Sequence, residues 1–203
     1  MDTMPKKTDG EFPVWWRRLE WQPWGLVLEP VAREHAPRVR RTLTVEIARW
    51  LGIGSVEDMR QGTPVWANEA AELARAGRAF RYLIHRNDRF AGAIEVRPDA
   101  VKGHIGYWLR RAERGRGTAT MANRLTLLIA FDGLRLRAVD WTADGSNESS
   151  IAVMRRLGGE KVDCYRTRDL AHRSVQVRYR VERSRYCADP TGPGTLRELL
   201  TCI

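Results

Sequence analysis

At 203 residues the chain is long enough for one domain with extended ends and a real core. A hydrophobic content of 43%, with no apolar run near the length of a bilayer span, argues for a soluble globular protein and against a membrane-spanning one. The excess of 35 Lys and Arg over 25 Asp and Glu gives a net charge of +10, which either attracts polyanions (a phosphate-rich cofactor or a nucleic acid) or simply keeps a basic surface soluble.

In chain order, residues 1–24 form an N-terminal arm, a polar start with Lys6 and Lys7 followed by Trp15, Trp16, Trp21 and Trp24. Trp is costly to leave in water, so the arm is expected to pack across the domain; an acceptor-site wall or a dimer contact are the other readings. Charge and proline break this segment, it holds no secretory h-region, and the cytoplasm is the expected compartment. A core domain is expected over 25–183. It opens with a short strand, 25–30, stopped by Pro30, then a broadly helical stretch, 32–51, with Pro37 near an early turn, and a loop at 52–55. A helix over 66–78 takes Asn68 as a candidate N-cap and Gly77 as its stop. Three strands follow at 79–86, 89–97 and 101–110, joined by Asn-Asp and Pro-Asp-Ala turns. Next come a long helix over about 116–132, a strand at 137–143, a helix at 148–158 ending at Gly158-Gly159, and strands near 161–167 and 173–182. A loop-like tail, 184–203, ends in a last helical turn or docking segment. The order β-α-α-β-β-β-α-β-α-β-β predicts a mixed α/β fold, a central sheet flanked by helices. Three cysteines (164, 187, 202) and four scattered histidines show no metal spacing, so neither a disulfide framework nor a zinc site is expected.

The chemistry concentrates in "ERGRGTATMANRLTLLIAF", 113–131, where a strand turns through Gly115 and Gly117 into a helix. Glycine lets backbone amides approach an anion, and the first amides of a helix lack intrahelical acceptors and carry the positive end of its dipole. Strand, glycine turn and helix mouth together make a phosphate cradle, and Arg110, Arg111, Arg114 and Arg116 raise its potential. The spacing is neither a dinucleotide fingerprint, because Thr120 stands at the third glycine, nor a P-loop.

The stretch from "HIGYWL" through "SNESSIAVMRRLGG" resembles the GNAT acyltransferases, closest to the branch of ribosomal-protein alanine N-acetyltransferases. Arg114, Gly117 and Ala119 match the R-x-x-G-x-A signature, and the likeness is strong over about 80–162. The resemblance implies a splayed sheet in which the strand at 104–109 parts from that at 137–142, with acetyl-CoA as donor and no metal. It implies cofactor contacts from Leu109, Arg111, Arg114, Arg116, Gly117, Thr118 and Ala119, and from Asn147 to the pantetheine arm. An amine would attack the thioester directly, which requires a neutral amine, a stabilised oxyanion (an amide near Leu109) and a proton for the thiolate. The family's usual Tyr acid is Met154 here, so Ser150, matching the Ser of the alanine N-acetyltransferase branch, is the candidate acid. Glu95, His104 and Asp140 are candidate bases, and a water chain is a further option. Met121 replaces a Glu that faces the acceptor in relatives, which leaves the acceptor open between a small-molecule amine and a peptide amine.

Two other functions fit the same fold. An aminoacyl-tRNA donor would suit the net charge, the arginines at 110–116, "RVRR" at 38–41 and the basic stretch 165–185, with Trp15, Trp16, Tyr165 and Tyr179 stacking on the 3′ end. The alternating arginines of "RSVQVRYRVER", 173–183, also read as the polar face of a half-buried strand. A non-catalytic module binding CoA or nucleic acid is the third reading. A homodimer is expected from family habit and the Trp-rich arm.

Overall fold

The computed structural model describes residues 12–13, 15–166, 174–186 and 193–201. Lys6, Lys7, Cys187, Cys202 and residues 167–173 lie outside the described residues. Among the described residues eight strands form one sheet: β1 (Leu19–Trp21), β2 (Leu26–Pro30), β3 (Phe80–Arg86), β4 (Arg89–Asp99), β5 (Lys102–Leu109), β6 (Ala138–Asp144), β7 (Glu160–Arg166) and β8 (Val175–Glu182). Their spatial order is β1-β2-β3-β4-β5-β6-β8-β7, antiparallel throughout except for the parallel pair β5–β6. The β3–β4 hairpin turns on Asn87 and Asp88, both at positive φ (46° and 61°), a conformation that Asn and Asp tolerate and that matches strand twist. Among the described residues seven α-helices accompany the sheet: α1 (Ala36–Thr42), α2 (Val45–Trp50), α3 (Val56–Asn68), α4 (Ala70–Arg75), α5 (Thr118–Leu128), α6 (Glu148–Arg156) and α7 (Leu196–Thr201).

Alternation along the strands divides the core in two. One face packs Phe80, Ile94, Ile105 and Trp141 against Leu125 of α5 and Met154 of α6. The other packs Leu83, Phe90 and Ala93 against Val39, Ile47 and Ala67 of the α1–α3 layer. Trp15 and Trp16 are buried on the first face, edge-on to Phe80 at 4.4 Å and Tyr82 at 4.8 Å, and the Tyr82 hydroxyl donates to the Trp15 carbonyl at 3.0 Å. The described part of the arm therefore packs on the domain through Trp15 and Trp16, and these two buried rings serve neither as an acceptor wall nor as a dimer contact. At the other end α7 docks: Leu196 is buried and its amide donates to Asp132 Oδ2 at 3.1 Å.

Two helices of the sequence reading are corrected, and the Gly77 stop holds. The stretch 32–51 is two helices, because Leu43 is extended and Thr44 caps α2, accepting from the Ile47 amide at 3.3 Å. The next helix begins at Val56, capped by Ser55, whose Oγ accepts from the Asp58 amide at 3.0 Å; Asn68 is the last residue of α3, not an N-cap. Gly62 and Pro64 mask this helix in the sequence, yet it runs through both. Gly77, at φ +67°, is the stop after α4, where the Arg78 amide closes on the Leu73 carbonyl at 2.8 Å. No helix among the described residues is long and apolar enough to cross a membrane.

Candidate active site

β5 and β6 pair only from Lys102↔Ala138 to His104↔Asp140, then part. Two bonds fix the alternation along β5: Arg137 donates to the Val101 carbonyl on the β6 side (2.7 Å), and Arg110 donates to Ala91 on the β4 side (2.8 Å). Backbone groups alternate along a strand, so beyond the last pair those of Tyr107 and Leu109 face the opening without a strand partner. The cleft that includes this opening measures about 1210 Å³.

At its head lies the glycine turn. Gly115 and Gly117 have φ of +72° and +78°, and Gly117 is the N-cap of α5 with no side-chain cap. The first intrahelical bond is from the Met121 amide to the Gly117 carbonyl (3.0 Å), leaving the amides of Thr118, Ala119 and Thr120 ahead of it at the cleft wall. The arginines divide by role. Arg114 donates to the Leu109 carbonyl (3.2 Å) and pairs with Glu46 of α2 (2.6 Å), and that hydrogen bond holds the Glu46 carboxyl below its ordinary pKa. Arg110 donates to the Phe90 carbonyl (2.9 Å), while Arg111 and Arg116 are exposed. Sequence reasoning missed Arg86 of β3, which braces the turn from behind by donating to the Arg116 carbonyl and to Thr118 Oγ1 (3.1 Å for the latter).

Across the opening, Asn147 caps α6. Its Oδ1 accepts from the Ser150 amide (3.1 Å) and the Ser149 hydroxyl (3.0 Å), so its NH2 group is the end without a partner among the described residues. The Tyr107 phenol donates to Ser150 Oγ at 3.1 Å, bridging the two sides of the splay. Burial pushes the Tyr107 phenol up, outweighing the opposite pull of Ser150, so it stays protonated at neutral pH. With its oxygen occupied as acceptor, Ser150 keeps its own proton to donate. Tyr107 was also missed; its signal is that it alternates out of phase with His104, Gly106 and Trp108. Met154 is 1% exposed in the core. Met121 is half-buried against the same core and does not line the cleft, so it does not face the acceptor as its position in relatives implies.

The three candidate bases separate. Glu95 is clamped between Arg81 (2.8 Å) and Arg97 (3.1 Å). Asp140 is held bidentate by Arg180 at 2.6 and 2.7 Å and does not line the cleft, which makes it a structural anchor of β6 to β8. His104 lines the cleft, with Nδ1 3.4 Å from Arg97 Nη2. Burial first, then Arg97, holds its pKa below 6.5 against the weaker pull of Asp140 and Glu95, so its ring is neutral at neutral pH and able to accept a proton. Of the rings proposed to stack on a tRNA end, Trp15, Trp16 and Tyr179 are 9%, 8% and 4% exposed and unavailable for it; Tyr165 alone is open, at 43%. Among the described residues no group of three or more His, Cys, Asp or Glu could hold a metal.

Residues 25–160 match the family described as the acetyltransferase (GNAT) domain. YdaF of Bacillus subtilis (strain 168), a candidate ribosomal N-acetyltransferase, is 40% identical over 57 residues, a stretch covering 28% of this chain and only 31% of that relative. Among solved structures, Mycobacterium smegmatis RimJ in complex with CoA-disulfide superposes with a TM-score of 0.71 at 19% identity, over 86% of this chain and 91% of that one. RimL, a ribosomal L7/L12 alpha-N-protein acetyltransferase in complex with coenzyme A, gives 0.66 at 20% identity, over 78% and 94%. The ribosomal-protein-S5-alanine acetyltransferase of Vibrio fischeri gives 0.66 at 16% identity, over 87% and 99%. With the domain match spanning most of its length, the chain belongs to the GNAT acetyltransferase family.

Proposed function

We propose that the protein transfers an acetyl group from acetyl-CoA to the α-amine of a protein or peptide. The observation that carries this is the splay itself: an unpaired edge of β5, an uncapped α5 mouth at Gly117, and a Tyr107–Ser150 hydrogen bond closing the far side. These features fit a donor with a pyrophosphate and an amide-bearing arm. Amides at Arg111, Arg116, Gly117, Thr118 and Ala119 suit the phosphates, the Leu109 amide and the Asn147 NH2 suit the arm, and Arg114 shapes the turn through Glu46 and Leu109. When bound, the donor supplies the thioester carbonyl that the amine attacks.

The chain's own groups then divide the work. Neutral His104 accepts the proton that the incoming ammonium must lose. The other cleft-facing amide of β5, that of Tyr107 next to Leu109, stabilises negative charge on the carbonyl oxygen. Ser150, oriented by Tyr107, protonates the departing sulfur. The acceptor side supports a peptide over a polycation: Trp50, Trp66 and Trp108 line it, and the carboxylate of Glu95 is already shared by two arginines. The solved relatives named above as ribosomal-protein acetyltransferases point the same way.

The test is thiol release from acetyl-CoA across short peptides with free N-termini, spermidine and an aminoglycoside. Turnover with peptides is expected. Turnover confined to the polyamine or the aminoglycoside would overturn the acceptor assignment, and failure to bind CoA would overturn the donor.

A further inference from the structure

The outer side of the α1–α3 layer carries a second concavity, of about 770 Å³, that the acetyl-transfer site does not use. Arg33, Arg40, Arg41 and Arg60 converge on it, with Glu57 the one carboxylate in its lining. Arg60 is fixed by a bond from Nη2 to the Leu43 carbonyl at 3.1 Å. The side chains of Arg33, Arg40 and Arg41 are exposed and have no hydrogen-bond or ion-pair partner among the described residues. Glu57 accepts from Gln61 instead of pairing with any of them. Like charges crowded without counter-charge repel, and the arrangement is relieved when an anion with several charges enters.

The lining also indicates which anion. Its apolar part is Ala36, Pro37 and Pro64, with no aromatic or large aliphatic side chain. Protein interfaces draw their affinity from buried aromatic and aliphatic anchors, whereas nucleic-acid backbones are met by polar, strongly basic surfaces. Guanidinium groups match phosphate oxygens two at a time. We propose that this concavity is a docking site for the phosphodiester backbone of RNA, read by charge and not by sequence. The site shares its helices with the acceptor cleft: Met59 and Thr63 of α3 face the cleft, while Arg60 and Pro64 face the concavity. RNA held there lies one helix away from the acceptor entrance, so an acceptor protein bound to that RNA is delivered beside the cleft.

The experiment uses the full chain and a fluorescein-labelled 20-nucleotide single-stranded RNA, with anisotropy measured from about 50 to 200 mM salt. Four phosphate contacts at about 0.7 counterions each give a log–log salt slope of about −3. Arg33→Ala/Arg40→Ala/Arg41→Ala should make the slope shallower by about 2 and weaken binding at least tenfold at about 50 mM salt, whereas Arg33→Lys/Arg40→Lys/Arg41→Lys keeps the charge and hence the slope but loses the part of the affinity that paired guanidinium contacts add. A control, Lys102→Ala/Arg137→Ala/Lys161→Ala, removes the same charge elsewhere and should change affinity less than threefold. Unchanged Tm and unchanged acetylation of a short peptide by the Ala triple variant establish that it is folded. Three results would each overturn the proposal: no RNA binding at low salt, equal loss in the control and the patch variants, or displacement of RNA by polyglutamate of equal length at equal concentration.

Discussion

Gly115 and Gly117 have nearly the same φ, yet replacing them should have different consequences. An Ala Cβ at 117 would sit 3.5 Å from Met121 Cε, an ordinary contact, and at 115 would meet nothing within 4 Å. Neither change crowds the core, so the stability cost is that of an L-residue at φ of +78° or +72°, about 1–2 kcal/mol. At about 2–4 °C per kcal/mol for a domain of this size, each variant should lose about 2–8 °C in Tm by calorimetry. Function should separate them. Gly117 immediately precedes the free amides of α5, and an Ala that relaxes toward negative φ turns those amides away from the donor phosphates. Losing one hydrogen bond to a charged group costs about 1.5–3 kcal/mol, which raises the donor KM by about 10- to 100-fold while kcat changes little. Gly115→Ala should leave the donor KM within about threefold. Steady-state kinetics with acetyl-CoA varied would decide the matter, and equal donor KM in both variants would refute the role given to the α5 mouth.

Ser150→Ala should lower kcat about 100-fold or more, the usual worth of a general acid, and Tyr107→Phe about tenfold with little change in KM; the double variant should be no worse than Ser150→Ala alone. Full turnover by Ser150→Ala would remove it as the acid. His104 has a folded pKa below its ordinary 6.5, so its neutral form stabilises the fold above pH 6.5 and that contribution fades as pH falls through 6.5 toward the folded value. The acid limb of kcat/KM should accordingly lie below pH 6.5 and vanish in a residually active His104→Gln; a limb that survives unchanged would assign the base elsewhere. Asp140→Asn strands the Arg180 guanidinium in a half-buried site and should cost about 1–3 kcal/mol in urea unfolding, while kcat per folded molecule is retained. A large kcat loss in a stable Asp140→Asn protein would reinstate it as a base.

Much of this was legible in local chemistry. The Asn87-Asp88 hairpin, the glycine turn into α5 and the Gly158-Gly159 stop after α6 are each set by residues adjacent in sequence. What escaped depends on partners distant in the chain. Strand β1 is three residues long and forms only because Leu19 and the two tryptophans have a core to enter. Helix α3 contradicts its own Gly62 and Pro64 and is held by the Ser55 cap and by packing on α1 and α2. Arg86 and Tyr107 gain their roles from residues 32 and 43 positions away, a pairing that no periodicity encodes. Candidate residues from the sequence also met different fates for electrostatic reasons: His104 was left neutral in the cleft, while Glu95 and Asp140 were claimed by arginines from neighbouring strands.

The most direct test of the central claim is a paired measurement on one reaction of the wild-type protein with acetyl-CoA and a peptide bearing a free N-terminus. Free thiol is followed by a chromogenic reagent and the peptide by mass spectrometry. The account predicts one thiol released for each acetyl group gained, with the acetyl on the α-amine. Thiol release without acetylated peptide, or acetylation confined to lysine side chains, would contradict it.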